Sequence, residues 1–544
     1  MANHSGANFS SATAECVEFT SPEGDYTLKH DIFHADIQTT HGTHLSLVNI
    51  KYKDTAPNDT RQSSGESLVS MSTEQVAAGE SEGDDDQPHT STATSAPKPI
   101  PESGGSSSGR NEDSSFFSFG SGRRKKPKNN ITKTNSSFVS RIDTHPSLAR
   151  ILASKTNENT YLFYNLSKSF YWADLMTKPQ ETISRIDFAV AHPTCHDANL
   201  LTRGYDHLDI VIGFSSSDLI WFDPLCMKYV RLNKAGVINN SPVVSVKWMP
   251  GSENLFMAAH QDGSIVIYDK DRDDQAFTPS PPSSPDCFHV TRPAKNSKYN
   301  PVSHWFVSTK PITAFAFSPD CQHVAVVGVD GCLRVIEFLS ERLHDTYRSY
   351  FGGLSCVAWS PDGRYILTGG QDDLVTIWAF REQRIVARCQ GHASWVTSVA
   401  FDPWRCDERN YRFGSVGEDT KLLLWDFSVS ALHKPKGGHH SQRRSSLAST
   451  LTGASANTSL RRIVQENSNS GVAKQHDPIV NIVHPVLPKT EVAMLQPVMA
   501  KSIHSDPVVE LHFREDAVVT TDRKGRVKVW TRPKLRTRNI AGAV

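Results

Sequence analysis

Residues 353–380 read GLSCVAWSPDGRYILTGGQDDLVTIWAF. Alternating apolar residues predict a strand ending at Trp359, and Ser360-Pro361-Asp362-Gly363 predicts a turn. A second strand ends at Gly369-Gly370, an acidic turn follows, and a third strand ends at Trp378. The upstream stretch PITAFAFSPDCQHVAVVGVDGCLRVIEF (311–338) superposes on this one without a gap. Phe317, Trp359 and Phe401 therefore stand 42 residues apart. A period of roughly 40–45 residues with four strands each marks the blades of a propeller.

Working outward, the end of the third strand recurs as Tyr164-Asn165, Phe222-Asp223, Tyr268-Asp269, Ile336-Glu337, Trp378-Ala379, Trp425-Asp426 and Trp530-Thr531. Asp262, Asp330, Asp372 and Asp419 each lie six residues ahead of that anchor, in a tight turn where Asp can accept from its own backbone. Seven copies predict an all-β, seven-bladed propeller, with blades one to six in 138–428 and the last blade in 506–533. Little strand character follows Trp530, in the basic tail 534–544, so the last blade lacks its outer strand. DYTLKHDI (25–32) or HLSLVNIKY (44–52), in an otherwise disordered arm 1–137, is expected to supply that strand and close the ring.

Composition separates body from arm in the same way. All ten Trp of the 544 residues lie between Trp172 and Trp530, and residues 53–115 contain no Phe, Tyr or Trp. A second stretch without aromatics falls in 429–505, which is expected to be a disordered insertion. The 58 basic and 58 acidic side chains cancel, which argues against a surface built for nucleic acid or membrane. Nine scattered Cys without a C-x-x-C pair exclude a disulfide framework or zinc ribbon, and no apolar run reaches eighteen residues. A soluble intracellular protein, cytoplasmic and/or nuclear, without cofactor or metal, is expected. His192, Cys195 and His196 lack a fourth ligand at sensible spacing.

The repeat resembles WD-repeat proteins over 138–428 and 506–533. The sixth copy carries Gly391-His392, Ser415, Asp419 and Trp425. The resemblance implies that His392, Ser415, Asp419 and Trp425 link across one blade, His to Asp and Ser, Ser to Trp, in a structural role. A narrower resemblance rests on EGDYTLKHDI (23–32), RRKKPKNNITKTNSSFVSRI (123–142), SYFGGLSCVAWSPDGRYILTGGQDDLVTIWAF (349–380) and GHASWVTSVAFDPW (391–404). These stretches are similar to the creC family of fungal carbon catabolite repression proteins and to animal WD-repeat partners of ubiquitin-specific proteases. The resemblance implies a non-catalytic subunit that binds and activates a creB-like deubiquitinase, with room for a second WD-repeat protein in the complex.

Phe351 and Trp395 precede inner strands, beside Gly352-Gly353 and Gly391-His392. Other copies place Pro242, Pro311 or Pro507 where Trp395 stands, so the repeat does not require an indole there. Large exposed aromatics beside Gly are typical interface anchors, and the resemblance matches these two positions to partner contacts. Trp305, in an outer strand, and Trp404, in an enlarged turn, are further candidates. Arg123, Arg124, Lys125, Lys126 and Lys128 form either a nuclear import signal or a solvated linker. Lys524, Arg526 and Lys528 alternate along a strand and are expected to form a solvated outer face. Thr278, Ser280, Ser284, Ser445 and Ser446 are candidate phosphorylation sites.

Three functions compete on these residues: a protease-binding scaffold, a substrate receptor of a cullin-type ubiquitin ligase, and a propeller enzyme. Cullin receptors often carry Arg two residues beyond Trp-Asp, where this chain has Ser428. An enzyme would need titratable groups at its channel mouth, and the inner-strand starts Ile312, Leu354, Val396 and Val508 offer none.

Overall fold

The computed structural model describes residues 15–34, 39, 41–52, 126–131, 136–284, 287–294, 297–428 and 482–534. Among them seven sheets of four or five strands stand side by side, each a blade built on four antiparallel strands whose first lines a central channel. Blade five shows the plan: Leu354–Trp359 innermost, then Tyr365–Gly370, Leu374–Ala379 and Arg384–Gln390. Its turn is built by side chains. Ser360 Oγ donates to Asp362 at 2.6 Å and accepts from the Tyr365 amide at 2.9 Å, while Gly363 takes φ +69°. Ser318, Asp320 and His323 repeat those bonds at 2.6 and 2.9 Å, which is why the two stretches superpose.

Hydroxyls stitch neighbouring blades together. Thr194, Thr313 and Thr397, near the start of three inner strands, donate across the gap to the carbonyls of Val243, Leu354 and Val508 at 2.7, 2.7 and 2.6 Å. Ser355 makes the same link to Val396. Between blades two and three a buried charge cluster adds to the Thr194 link. Asp209 accepts from Trp221 Nε1 at 2.6 Å and from Lys270 Nζ at 2.5 Å, and His207 bridges Asp209 and Asp223 at 3.1 and 3.0 Å.

Burial alone would lower the His207 pKa, but the two carboxylates outweigh it and hold it up to about 9. The protonated ring therefore stabilises the fold fully below its ordinary pKa near 6.5, and that contribution disappears as pH rises through about 9. The melting-temperature advantage of wild type over His207→Gln is thus expected to be large at about pH 6 and to shrink by about pH 10. A gap that stays constant across that range, in scanning calorimetry, would refute the charged state of this histidine.

Both N-terminal candidates are used, in different blades. Gly24–Ile32 is the fourth strand of blade seven, with Leu28 opposite Trp530, and Glu18–Ser21 adds a fifth. Phe19 stacks on Tyr26 at 4.7 Å and meets Trp530 edge-on at 5.2 Å, all three buried. Leu45–Lys51 is instead the innermost strand of blade one, paired with Glu158–Leu166. Blade one therefore begins within the arm, and Val139–Thr144, expected at its start, caps its outer edge.

The expected boundaries of the insertion also change. Residues 482–502 carry three strands. Ile482–His484 and Ala493–Leu495 add in parallel to the outer edges of blades four and five, and Met499–Ser502 is the fourth strand of blade six. Scarcity of aromatics misled here, because alternate Val, Met and Leu suffice for an edge strand. The disorder expected for 53–115 and for most of 429–505 falls outside the described residues, as does most of the basic tail.

Candidate docking face

Each inner strand starts on one face of the ring and ends on the other. Every long connection, 52–157, 270–302 and 428–498, leaves from the face where inner strands end, and so do Gly24 and Thr531 at the closing blade. The face where inner strands start carries only short loops, the longest being 33–44. On that second face the loops between strands are short, and the described end of the 428–498 connection reaches it at Leu487 and Lys489, beside Arg388 and Tyr350.

Phe351 and Trp395 both stand on it, at the starts of adjacent inner strands, 72% and 47% exposed. The Phe351 loop is pinned on both sides. Ser349 Oγ donates to the Gly352 carbonyl at 2.8 Å, and the Gly353 amide donates to Gln371 Oε1 at 2.9 Å. A Cβ on Gly353 would stand 3.0 Å from Val329 Cα, so Val329, itself exposed, walls the loop toward blade four. The Trp395 carbonyl accepts from the Glu418 amide at 2.9 Å.

Beneath Trp395 lies the four-residue link of blade six. His392 Nδ1 is 3.0 Å from Asp419, its Nε2 is 2.8 Å from Ser415 Oγ, and Trp425 Nε1 donates to the same hydroxyl at 2.8 Å. Blade seven has its own version, not found from sequence: His504 reaches Asp522 at 2.9 Å and Thr520 at 2.8 Å, and Trp530 donates to Thr520 at 3.2 Å. In blades three and four Asn239 and Ser308 occupy the histidine position and bond Asp262 and Asp330, each at 3.0 Å.

Blade five departs from this pattern. Superposition puts Tyr350 at the histidine position, and its ring turns outward, 40% exposed, to within 4.6 Å of the Arg388 guanidinium. Asp372 accepts from the Leu374 amide at 3.2 Å, and burial pushes its carboxyl up to about 6. No histidine holds Tyr350 inward, while the Phe351 backbone still bonds Asp372 as Ala393 bonds Asp419 in blade six. Comparing the copies position by position would have found Tyr350; attention to exposed Trp and Phe alone passed over it.

The remaining candidates scatter. Trp305 is fully buried, edge-on to Phe288 at 5.7 Å, so it belongs to the core of blade three and leaves the contact set. Trp404 is 41% exposed on the opposite face, where Asp402 accepts from its amide and Arg532 approaches its ring at 6.0 Å. Lys126 and Lys128 are exposed beside Asn129–Asn130, which pairs with blade two, and Lys126 Nζ reaches the Asp206 carbonyl at 3.0 Å. Arg123, Arg124 and Lys125 lie outside the described residues.

The expected solvated face of Lys524, Arg526 and Lys528 does not form. Lys524 pairs with Asp506 at 3.0 Å, Arg526 with Asp31 and Glu15 at 3.1 and 2.7 Å, and buried Lys528 donates to the Ile503 carbonyl at 3.0 Å. The N-terminal arm supplies Glu15 and Asp31, and the loop before Val508–Phe513 supplies Asp506. Thr278 and Ser280 are exposed and Ser284 is half-buried; Ser280 Oγ lies 2.8 Å from both His289 Nε2 and Thr291 Oγ1. Ser445 and Ser446 lie outside the described residues.

His192 stacks on His41 at 3.6 Å, while burial holds His196 down to about 3 and pushes the Cys195 thiol up to about 12. Among the described residues no His, Cys, Asp or Glu group has a metal-holding arrangement. No helix among them is long and apolar enough to cross a membrane.

Two comparisons with known proteins bear on the family of the chain. The family model described as "WD domain, G-beta repeat" matches residues 299–337 and 342–379. Over 415 residues the chain is 38% identical to the UBP9-binding protein bun62 of Schizosaccharomyces pombe, a match covering 73% of this chain and 75% of that protein.

Proposed function

This chain belongs to the family of WD-repeat proteins that includes the UBP9-binding protein bun62, and from that premise we propose that it is a non-catalytic subunit of a deubiquitinase. It docks a creB-like ubiquitin-specific protease on the short-loop face and raises that enzyme's activity; in a fungal cell the complex acts in carbon catabolite repression. The observation that carries this reading is the pair Phe351 and Trp395, two large exposed aromatics at neighbouring inner-strand starts on one face of the ring. Large aromatics on a rigid frame bury much area at little entropic cost when a partner closes over them. The relative's name supports the class of partner.

The test is recovery from cell extract on the wild-type chain, followed by hydrolysis of a fluorogenic ubiquitin substrate by the recovered enzyme with and without added chain. A ubiquitin-specific protease whose turnover rises on addition is the expected result. Recovery of cullin adaptors in its place would overturn the proposal in favour of a ligase receptor.

A further inference from the structure

The Phe351 loop is held from outside by a segment that does not belong to the repeat. Ile482–His484 runs parallel to the outer strand of blade four, with Ile482 opposite Asp345 and His484 opposite Tyr347. The His484 ring stacks on Tyr347 with centroids 4.4 Å apart, and its Nε2 lies 2.8 Å from Asp345 Oδ1. A few residues on, the Leu487 carbonyl accepts from Arg388 Nη2 at 2.7 Å. The Lys489 ammonium then lies 5.3 Å from the ring centroid of Tyr350, the same ring that the Arg388 guanidinium meets at 4.6 Å. Val492, buried, and Ala493–Leu495, paired with Ala387 to Cys389, fasten the far end to blade five.

Two cations on one ring fix the direction in which Tyr350 points. Arg388 is itself 2% exposed, so one of those cations is immobile. Tyr350 is the backbone neighbour of Phe351, so holding its ring restrains the backbone from which Phe351 rises. Blade six has no need of this arrangement, because His392 is held from within by Asp419 and Ser415.

We propose that residues 482–489 form a strap that positions the Tyr350–Phe351 loop for its partner, with Lys489 and His484 as positioning residues for docking. The proposal rests on the reading of Phe351 as a docking residue. The strap lies near the end of the insertion between the third and fourth strands of blade six, so the docking loop is adjusted by a segment more than 130 residues further along the chain.

The experiment is a titration of the ubiquitin-specific protease recovered with the wild-type chain against wild type, Lys489→Ala, Lys489→Arg, Phe351→Ala and the double variant Phe351→Ala/Lys489→Ala, each also followed by thermal melting. Lys489→Ala is expected to weaken binding about 3- to 5-fold, the size of an exposed cation–ring contact, with the melting temperature unchanged. Lys489→Arg is expected to restore it. In the Phe351→Ala background Lys489→Ala is expected to cost nothing further, which a merely structural role would not produce. His484→Ala serves as a second variant with the same expected direction. Wild-type affinity for both Lys489→Ala and His484→Ala beside a weakened Phe351→Ala would overturn the strap alone. Equal losses in both backgrounds would also overturn it, because Lys489 would then act independently of the loop. Wild-type affinity for Phe351→Ala would instead remove the docking reading itself.

Discussion

A chain carrying Phe351→Ala and Trp395→Ala together is expected to bind its ubiquitin-specific protease roughly 1,000-fold more weakly than wild type. Truncating a central aromatic anchor costs about 2 kcal/mol or more. The two side chains rise from different blades, so their losses should add to about 4 kcal/mol, which is roughly three decades in Kd. Each single variant alone should lose about 30-fold. Because both rings are largely exposed, the melting temperature should move by less than about 2 °C. Isothermal calorimetry beside a thermal melt decides it. Trp404→Ala, on the opposite face, is the matched control and should bind as wild type does. Wild-type affinity in the double variant, or equal weakening by Trp404→Ala, would move the interface elsewhere.

The second large effect concerns the ring itself. Removing residues 1–34 strips blade seven of two strands and takes Phe19, Tyr26 and Ile32, all at most 4% exposed, out of the core. At about 2–3 kcal/mol for each buried side chain, the loss is about 6–9 kcal/mol, comparable to the whole stability of an ordinary domain. The same cut removes Glu23, whose carboxylate accepts from Arg412 at 2.6 Å and from Tyr26 at 2.6 Å. The truncated chain is therefore expected to be insoluble or to melt about 10–15 °C lower. A synthetic peptide spanning 15–34 should recover part of that loss when added in trans. A truncated chain that melts with wild type would show that blade seven holds without its outer strands.

What could be read from the chain followed the strength of local signals. Blades four and five declare themselves because their turns are made by short-range side chains such as Ser318, Asp320, Ser360 and Asp362, at a constant spacing. The link around His504 escaped notice because Asp522 lies eight residues before Trp530, where the other turn acids lie six before their anchors. Leu45–Lys51 and Gly24–Ile32 look alike in sequence; only pairing across the whole chain decides which is inner and which is outer. The strap at 482–489 was invisible for a related reason, since parallel edge additions need no turn and leave no local mark. Trp305 carries the same residue type as Trp395, and what distinguishes them is only which side of a strand end each occupies.

The closure of blade seven also sets a clock. Beyond its local hairpin with Glu18–Ser21, Gly24–Ile32 has no sheet to join until Val527–Thr531 exists, and at about 5–20 residues per second a ribosome needs on the order of 25–100 s to make the chain between them. Throughout that time the first strands of the nascent protein carry Phe19, Tyr26 and Ile32 uncovered, together with an unpaired strand edge. Pairing of this kind, across nearly the full sequence, is slow to find by diffusion. Yield on overexpression should therefore depend on chaperone supply, however stable the finished ring.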